Sequence, residues 1–263
     1  MGVIEARGPR LMGASNFRDI GGSLTTDGRR FKRSRVFRSD HLSRLVDDDL
    51  DVLRGLGIGF VLDLRTLDEM TRQPTRWPDG LQPDRFCAHI RWNPQINGRP
   101  MAEYLKENPT AEGAAMVVDH TFVVLPPQCG PALKQLAERL AHDDAPALFH
   151  CTSGKDRTGV IAIMLMHMLG MPRETIVADF LLTNERLPVD HLIANTREYM
   201  KNDLGVELDD EVLRLCIRLH AHHVDIVFDT LAQQYGSVQE YLQAFGIDAT
   251  LQERMRDRLL EPA

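Results

Sequence analysis

The chain has 263 residues, with 31 lysines and arginines against 38 aspartates and glutamates, for a formal charge of −7. At 43% hydrophobic and 26% charged it has an ordinary globular composition, and it is long enough to bury a core without a disulfide or metal staple. The acidic balance argues against a general nucleic-acid binder, and the absence of a long apolar run argues against an integral membrane segment.

In chain order, Met1 to Ser15 mixes Glu5, Arg7 and Arg10 with Gly and Pro and lacks an apolar h-region, so no cleaved secretory signal is expected. Asp47-Asp48-Asp49-Leu50-Asp51 opens a helix whose Leu50, Leu53 and Leu56 share a face; carboxylates suit a helix start, and Gly55 and Gly57 are expected to end it. Ile58 to Leu64 reads as a buried strand followed by Arg65, and Arg85 to Ile90 as a second strand. Residues 91 to 129 are broken by Pro94, Pro100, Pro109, Pro126 and Pro127, with helical pieces between. Leu133, Leu136, Ala137 and Leu140 mark an amphipathic helix, and Ala145 to His150 a short buried strand. Thr158 to Leu169 is apolar on all sides, with Met164, Met166 and Met168 as core filler. Helices are expected over Arg173–Leu187, Val189–Lys201 and Asp209–Gln234. Strands alternate with helices early and helices dominate late. The expected fold is α/β, one domain over residues 1–263, with a central, mostly parallel sheet surrounded by helices and a helical C-terminal half.

The chemistry concentrates between the strand ending at His150 and the helix beginning near Arg157: Cys151-Thr152-Ser153-Gly154-Lys155-Asp156-Arg157-Thr158. A tight loop feeding a helix N-terminus turns amides toward an anion, and the helix dipole adds positive potential. Gly154 permits the turn, and Arg157 offers a planar fork for two phosphate oxygens. A thiol in that field is expected to have a lowered pKa and to act as a nucleophile held where phosphorus would sit. Thr158 is expected to donate its hydroxyl to the Cys151 sulfur, and His150 to fix the loop through a backbone hydrogen bond. A Walker A reading of Gly154-Lys155 fails, because Asp156 follows the lysine and the earlier glycine is missing.

His-Cys-Thr-Ser-Gly-Lys-Asp-Arg-Thr-Gly over 150–159 resembles the signature of the cysteine-dependent protein tyrosine phosphatase superfamily, and Lys155-Asp156 resembles its bacterial tyrosine/lipid branch. Asn16-Phe17-Arg18-Asp19-Ile20-Gly21-Gly22, Phe37-Arg38-Ser39-Asp40, Leu62-Asp63-Leu64-Arg65, Asp179 to Asn184, Tyr235-Gly236-Ser237 and Tyr241-Leu242 are similar to further segments of that branch, in the right order. The resemblance implies a phosphatase-like α/β fold and a metal-independent phosphomonoester hydrolase with no cofactor. It implies a phosphocysteine on Cys151, phosphate held by residues 152–157, and Asp156 as general acid and base. Arg18, Asp19, Asp63 and Arg65 are expected to support the site. Trp77-Pro78-Asp79 spells a tripeptide that supplies the acid in other tyrosine phosphatases, but it lies too early in the chain and Pro78-Asp79-Gly80 reads as a turn. Asp19, Asp63 and Asp119 stand in reserve.

Lys155 adds a charge suited to phosphoinositides as well as phosphotyrosine proteins, with phosphoserine and phosphothreonine within range. The basic run Arg29, Arg30, Lys32, Arg33, Arg35, Arg38 and Arg44 reads as a solvated face, with peripheral contact to anionic lipid as the alternative. Of His220, His222 and His223, only the first and last share a helical face and no carboxylate completes a set, so no metal is expected. Cys87, Cys129, Cys151 and Cys216 show no metal spacing and read as reduced thiols of a cytoplasmic protein, with signal-independent export left open; Cys87 or Cys129 could pair with an oxidised Cys151. The alternatives are a phospho-ligand binding module with little turnover, or another thiol enzyme such as a sulfurtransferase or arsenate reductase.

Overall fold

The computed structural model describes residues 8–91, 95–96, 98–202 and 205–263. Glu5 and Arg7 of the N-terminal segment and Pro94 lie outside the described residues.

The chain folds as mixed α/β. Short strands come first: β1 (Arg18–Asp19), β2 (Arg29–Phe31) and β3 (Val36–Ser39), then helix α1 (Asp47–Leu56), β4 (Phe60–Asp63), α2 (Leu67–Arg72) and β5 (Asp84–Cys87). A small hairpin, β6 (Gln95–Ile96) with β7 (Arg99–Pro100), leads into α3 (Met101–Glu107), α4 (Ala111–Val124), a 3-10 turn at Pro126–Cys129, and α5 (Gly130–His142). Then come β8 (Ala147–His150) and α6 (Asp156–Met168). The remainder is α7 (Arg173–Arg186), α8 (Val189–Asn202), α9 (Asp210–Ile217), α10 (His222–Tyr235), α11 (Val238–Ala244), α12 (Ala249–Leu259) and β9 (Leu260–Pro262).

The main sheet runs β1-β3-β8-β4-β5, with β3, β8, β4 and β5 parallel and β1 antiparallel at the edge. Its register aligns Ser39, His150, Asp63 and Cys87 in one row, so the segments leaving β3, β8 and β4 emerge side by side. The strands alternate between two cores, as the period of two requires. Val36, Phe60, Leu62, Ala147 and Phe149 pack with α5 and α6, whereas Phe37, Val61 and Leu148 pack with α1 and the Phe17 ring. A third cluster joins α3, α4, α8 and α9 through Met101, Leu105, Val117, Ile193 and Leu213. The C-terminal β9 returns to pair with β2, placing Leu260 opposite Phe31.

Expectation and structure differ in places. Gly55 lies inside α1, and Gly57 alone, at φ 63°, ends it. The expected strand over Arg85–Ile90 begins at Asp84 and stops at Cys87; it is an edge strand with mostly exposed side chains. Strand β3 was hidden because its four buried residues include Arg38, a charge that sequence patterning assigns to a surface. The long helix expected over Asp209–Gln234 is broken between α9 and α10. There Asn184 of α7 captures the Leu219 backbone, donating to its carbonyl at 2.8 Å and accepting from its amide at 2.9 Å. Among the described residues no helix is long and apolar enough to cross a membrane.

Replacing Asn184 with Ala leaves both polar groups of the buried Leu219 unpaired. Asn184→Ala is expected to lower unfolding free energy by about 1–3 kcal/mol in urea titrations, and an unchanged midpoint would contradict the break's dependence on this side chain.

Candidate active site

The central strand β8 hands the chain to the loop Cys151–Lys155, and α6 begins at Asp156. Three successive loop carbonyls are turned toward the protein. That of Thr152 accepts from the His41 amide at 2.9 Å, and that of Ser153 from Asn16 Nδ2 at 3.2 Å. The Gly154 carbonyl accepts from Asn16 Nδ2 and Arg38 Nη2, both at 2.9 Å. In a trans peptide the N–H points opposite to the C=O, so the amides of Ser153, Gly154 and Lys155 face away from these partners. The opening amides of α6, which have no carbonyl within their helix, continue the row. Gly154 is required on two counts: its φ is 65°, and a Cβ there would stand 2.5 Å from the Ser39 carbonyl oxygen.

Beneath the loop lies a buried charge cluster. Arg18 and Arg38 share the Asp179 carboxylate of α7, at 3.1 Å and 2.7 Å, and all three are at most 1% exposed. Arg18 also donates to the Asn16 side chain and to Thr183 Oγ1. Burial, then the neighbouring Arg18, pull the Arg38 guanidinium down to about 10, with Asp179 opposing.

Arg157 is held end-on by Glu69 of α2: Nη1 meets Oε2 at 2.7 Å and Nη2 meets Oε1 at 2.6 Å. Its Nη1 also reaches the Ile90 carbonyl at 3.2 Å. The Thr152 hydroxyl donates to Glu69 as well. Glu69 is locked by a capping box with Thr66, whose amide donates to Oε2 at 2.8 Å. Burial works to raise the Glu69 carboxyl, but Arg157 and Thr152 hold it down at about 2. Burial works to lower Arg157, but Glu69, with Cys151 and Asp156 nearby, raises it.

Cys151, Thr152, Ser153, Lys155, Asp156 and Arg157 all line one cavity of about 1130 Å³. Met101 of α3, Val117 of α4 and Leu192 and Met200 of α8 add apolar surface to its lining, beside the polar Thr196, Glu198 and Asn202 of α8. Cys151 is 2% exposed. Lys155 is less free than the sequence suggests: Nζ donates to the last carbonyls of α9, Ile217 at 3.0 Å and Cys216 at 3.3 Å, and lies 3.4 Å from Asp156. Asp40, at the end of β3, also lines the cavity, and burial raises its carboxyl to about 6.

The remaining expectations divide. His150 Nδ1 contacts the Cys151 carbonyl at 3.2 Å, as expected. The expected bond from Thr158 to the Cys151 sulfur is not formed; the Thr158 hydroxyl is buried without a partner. Arg18 supports the loop, through Asn16, but Asp19 does not touch it: its carboxylate caps the backbone of Gly21 and Ser34. Asp63 and Arg65 pair with each other at 2.7 Å behind the loop and line a separate cavity of about 120 Å³ with His150. Asp79 sits in an exposed turn, and Asp119 on α4 does not line the site. In the basic run, Arg38 enters the buried cluster and Arg44 lines the cavity, while Arg29, Arg30, Lys32 and Arg35 bond locally or to the chain's C-terminal part and α5's end. The four cysteines are free thiols, and burial pushes Cys129 up to about 12. The sequence reading missed Asn16, Arg38, Asp40, Glu69 and Asp179 as residues of this site. Asn16, Arg38, Asp40 and Asp179 lay in the family-like segments without a role assigned, and Glu69 had a local signal in Thr66-Leu67-Asp68-Glu69, a capping-box spacing directly after a strand end.

A family model described as "Tyrosine phosphatase family" matches residues 9–261. The chain is 30% identical, over 292 aligned positions, to the triple specificity protein phosphatase PtpB of Mycobacterium tuberculosis, covering 95% of this chain and 98% of that one. It is 28% identical to a tyrosine-protein phosphatase of Nostoc commune, covering 84% and 73%. A solved structure of P. aeruginosa TpbA aligns at 16% identity and a TM-score of 0.33, over 75% of this chain and 95% of that one.

Glu69 has a folded value below its ordinary 4.5, so the stability it adds is complete above that value and is lost as pH falls toward 2. Reduced for solvent screening, the gap between wild type and Glu69→Gln is expected to be about 1–2 kcal/mol at neutral pH and to narrow in acid. Urea titrations across that range check it; a gap independent of pH would contradict the pairing.

Proposed function

The chain belongs to the tyrosine phosphatase family, and from that premise we propose how its residues divide the hydrolysis of a phosphomonoester. The observation that carries the reading is the convergence of the Cys151 thiol, the Arg157 guanidinium and the Asp156 carboxyl on one cavity at the N-terminus of α6. The Cys151 sulfur attacks phosphorus, forming an S–P bond as the bond to the leaving oxygen breaks. Asp156 gives that oxygen a proton. The free amides of residues 153–157 and the Arg157 guanidinium, through the Nε side that Glu69 does not engage, hold the equatorial oxygens as charge spreads onto them. A water then gives its proton to Asp156 and attacks phosphorus, the S–P bond breaks, and inorganic phosphate leaves. The Thr158 hydroxyl, unpartnered in the free enzyme, turns to the departing sulfur in this second step. Every group in the scheme is a side chain or amide of the chain, so turnover persists in chelator.

The substrate range we propose is broad: phosphotyrosine first, then phosphoserine, phosphothreonine and phosphoinositides. The relative named for triple specificity supports breadth. So does a cavity much larger than a phosphoryl group, with both apolar residues and Arg44 and Arg72 in its lining. Arg72, rather than the engaged Lys155, is the cation for a second phosphate or an anionic lipid surface. We place the protein in the cytoplasm, in keeping with its four free thiols.

Phosphate release from phosphotyrosine peptide, phosphoserine peptide and mono- and bis-phosphorylated phosphoinositides is expected from wild type in chelator and to fall to background in Cys151→Ser. Release by that variant would remove the thiol from the mechanism. Asp156→Asn is expected to slow turnover by about 10²-fold or more for poor leaving groups and far less for good ones; an equal loss across leaving groups would point away from acid catalysis. Arg72→Ala is expected to raise KM for the bis-phosphorylated lipid about tenfold while sparing phosphotyrosine, and unchanged KM for both would reject Arg72 as the second phosphate's partner.

A further inference from the structure

Sequence spacing offered three histidines and no carboxylate. The fold supplies one from elsewhere in the chain. Asp119 of α4 reaches the N-terminus of α10, where its Oδ1 lies 2.8 Å from His222 Nε2 and 3.1 Å from His223 Nε2. One ligand atom from each residue lies within 4.8 Å of the others. None of the three lines the catalytic cavity.

The surroundings fix one side of the group and open the other. The His223 side chain is 1% exposed, and its ring stacks on Phe122 with centroids 4.8 Å apart and meets the Phe180 edge. His222 is 54% exposed and Asp119 39%. A rigid buried imidazole, an accessible imidazole and a carboxylate therefore converge on one point, with solvent on the fourth side. Two nitrogens and one carboxylate oxygen with an open position suit a borderline divalent ion. Neighbouring ligand atoms around tetrahedral zinc stand roughly 3.3 Å apart, given bonds of about 2.0–2.1 Å. The two Asp119–histidine separations are about 0.2–0.5 Å short of that, while the three ligand atoms together lie within 4.8 Å, so ligation draws the exposed His222 ring and the Asp119 carboxylate into place around the ion.

We propose that Asp119, His222 and His223 form a site for a zinc-class divalent cation that ties α4 to α10, with water completing the coordination on the exposed side. Ligation places the metal where each Nε2 proton would stand, so each neutral imidazole carries its proton on Nδ1. His222, half exposed, makes that exchange through solvent. His223 Nδ1 accepts from the His220 amide at 3.1 Å, and ligation displaces this contact. The ion sits one turn beyond Leu219 and the α9 carbonyls that hold Lys155, and it pins that stretch against α4 without entering the chemistry.

The test uses the full chain, freed of metal by chelator and then titrated with Zn²⁺ and with Co²⁺, followed by thermal melting and by the visible absorption of bound cobalt. Binding of one equivalent with a raised Tm is expected. Asp119→Asn and His222→Gln, which both leave the Phe122–His223 stack in place, are expected to weaken binding at least about tenfold. Equal binding by wild type and both variants would overturn the site, as would no binding by wild type. Binding that vanishes in Cys151→Ser would place the ion on the catalytic thiol and overturn it too. Should a variant fold poorly, the cobalt spectrum of wild type decides: a thiolate-to-metal band in the near ultraviolet rejects the site, and its absence with visible ligand-field bands supports it.

Discussion

The Asp179 carboxylate, shared by two buried arginines, is the contact on which the rest of the site depends. A lone guanidinium could not be buried at this depth without a partner, and two would repel. With Asp179 between them, Arg18 holds Asn16 in place and Arg38 reaches the Gly154 carbonyl. Asn16 and Arg38 then pull the loop's oxygens inward, and planarity sends its amides the other way. The proposed anion seat is thus made mostly by where carbonyls are taken, not by where amides are placed.

A second layer of electrostatics sets Arg157. Its two terminal nitrogens are engaged by Glu69, which is itself fixed by the capping box at the start of α2. Strand β4 and helix α2 therefore do for the guanidinium what β3 and the N-terminal segment do for the loop. The parallel register explains the convergence: Ser39, His150 and Asp63 end in one row, so the three segments that leave them are neighbours.

Much of this is legible in the sequence, and what is not has a common physical reason. Cys151, Gly154 and Arg157 sit in one short stretch whose strand–loop–helix pattern is local, so spacing alone reveals them. The alternation of strands and helices gives the sheet, and the apolar run after Thr158 gives α6. Glu69, Asp40 and Asp179 act from other elements; a capping-box spacing marks Glu69 and family-like segments hold Asp40 and Asp179, but none of these signals says which loop the side chain reaches. Arg38 hides a strand because a buried charge reads as surface. The break before α10 depends on Asn184, which meets Leu219 across 35 residues. Asp119 completes the histidine group only because α4 packs on α10.

The loop's clamps also have a place in time. Asn16 bonds Ser153 across 137 residues, and Arg18 bonds Asp179 across 161. During synthesis from the N-terminus, a nascent chain that has released the loop has not yet released α7. Until it does, Arg18 and Arg38 lack their shared carboxylate and the loop lacks its frame. The thiol and guanidinium proposed to carry the chemistry therefore leave the ribosome before the structure that frames them, and that frame is complete only with the helical half of the chain.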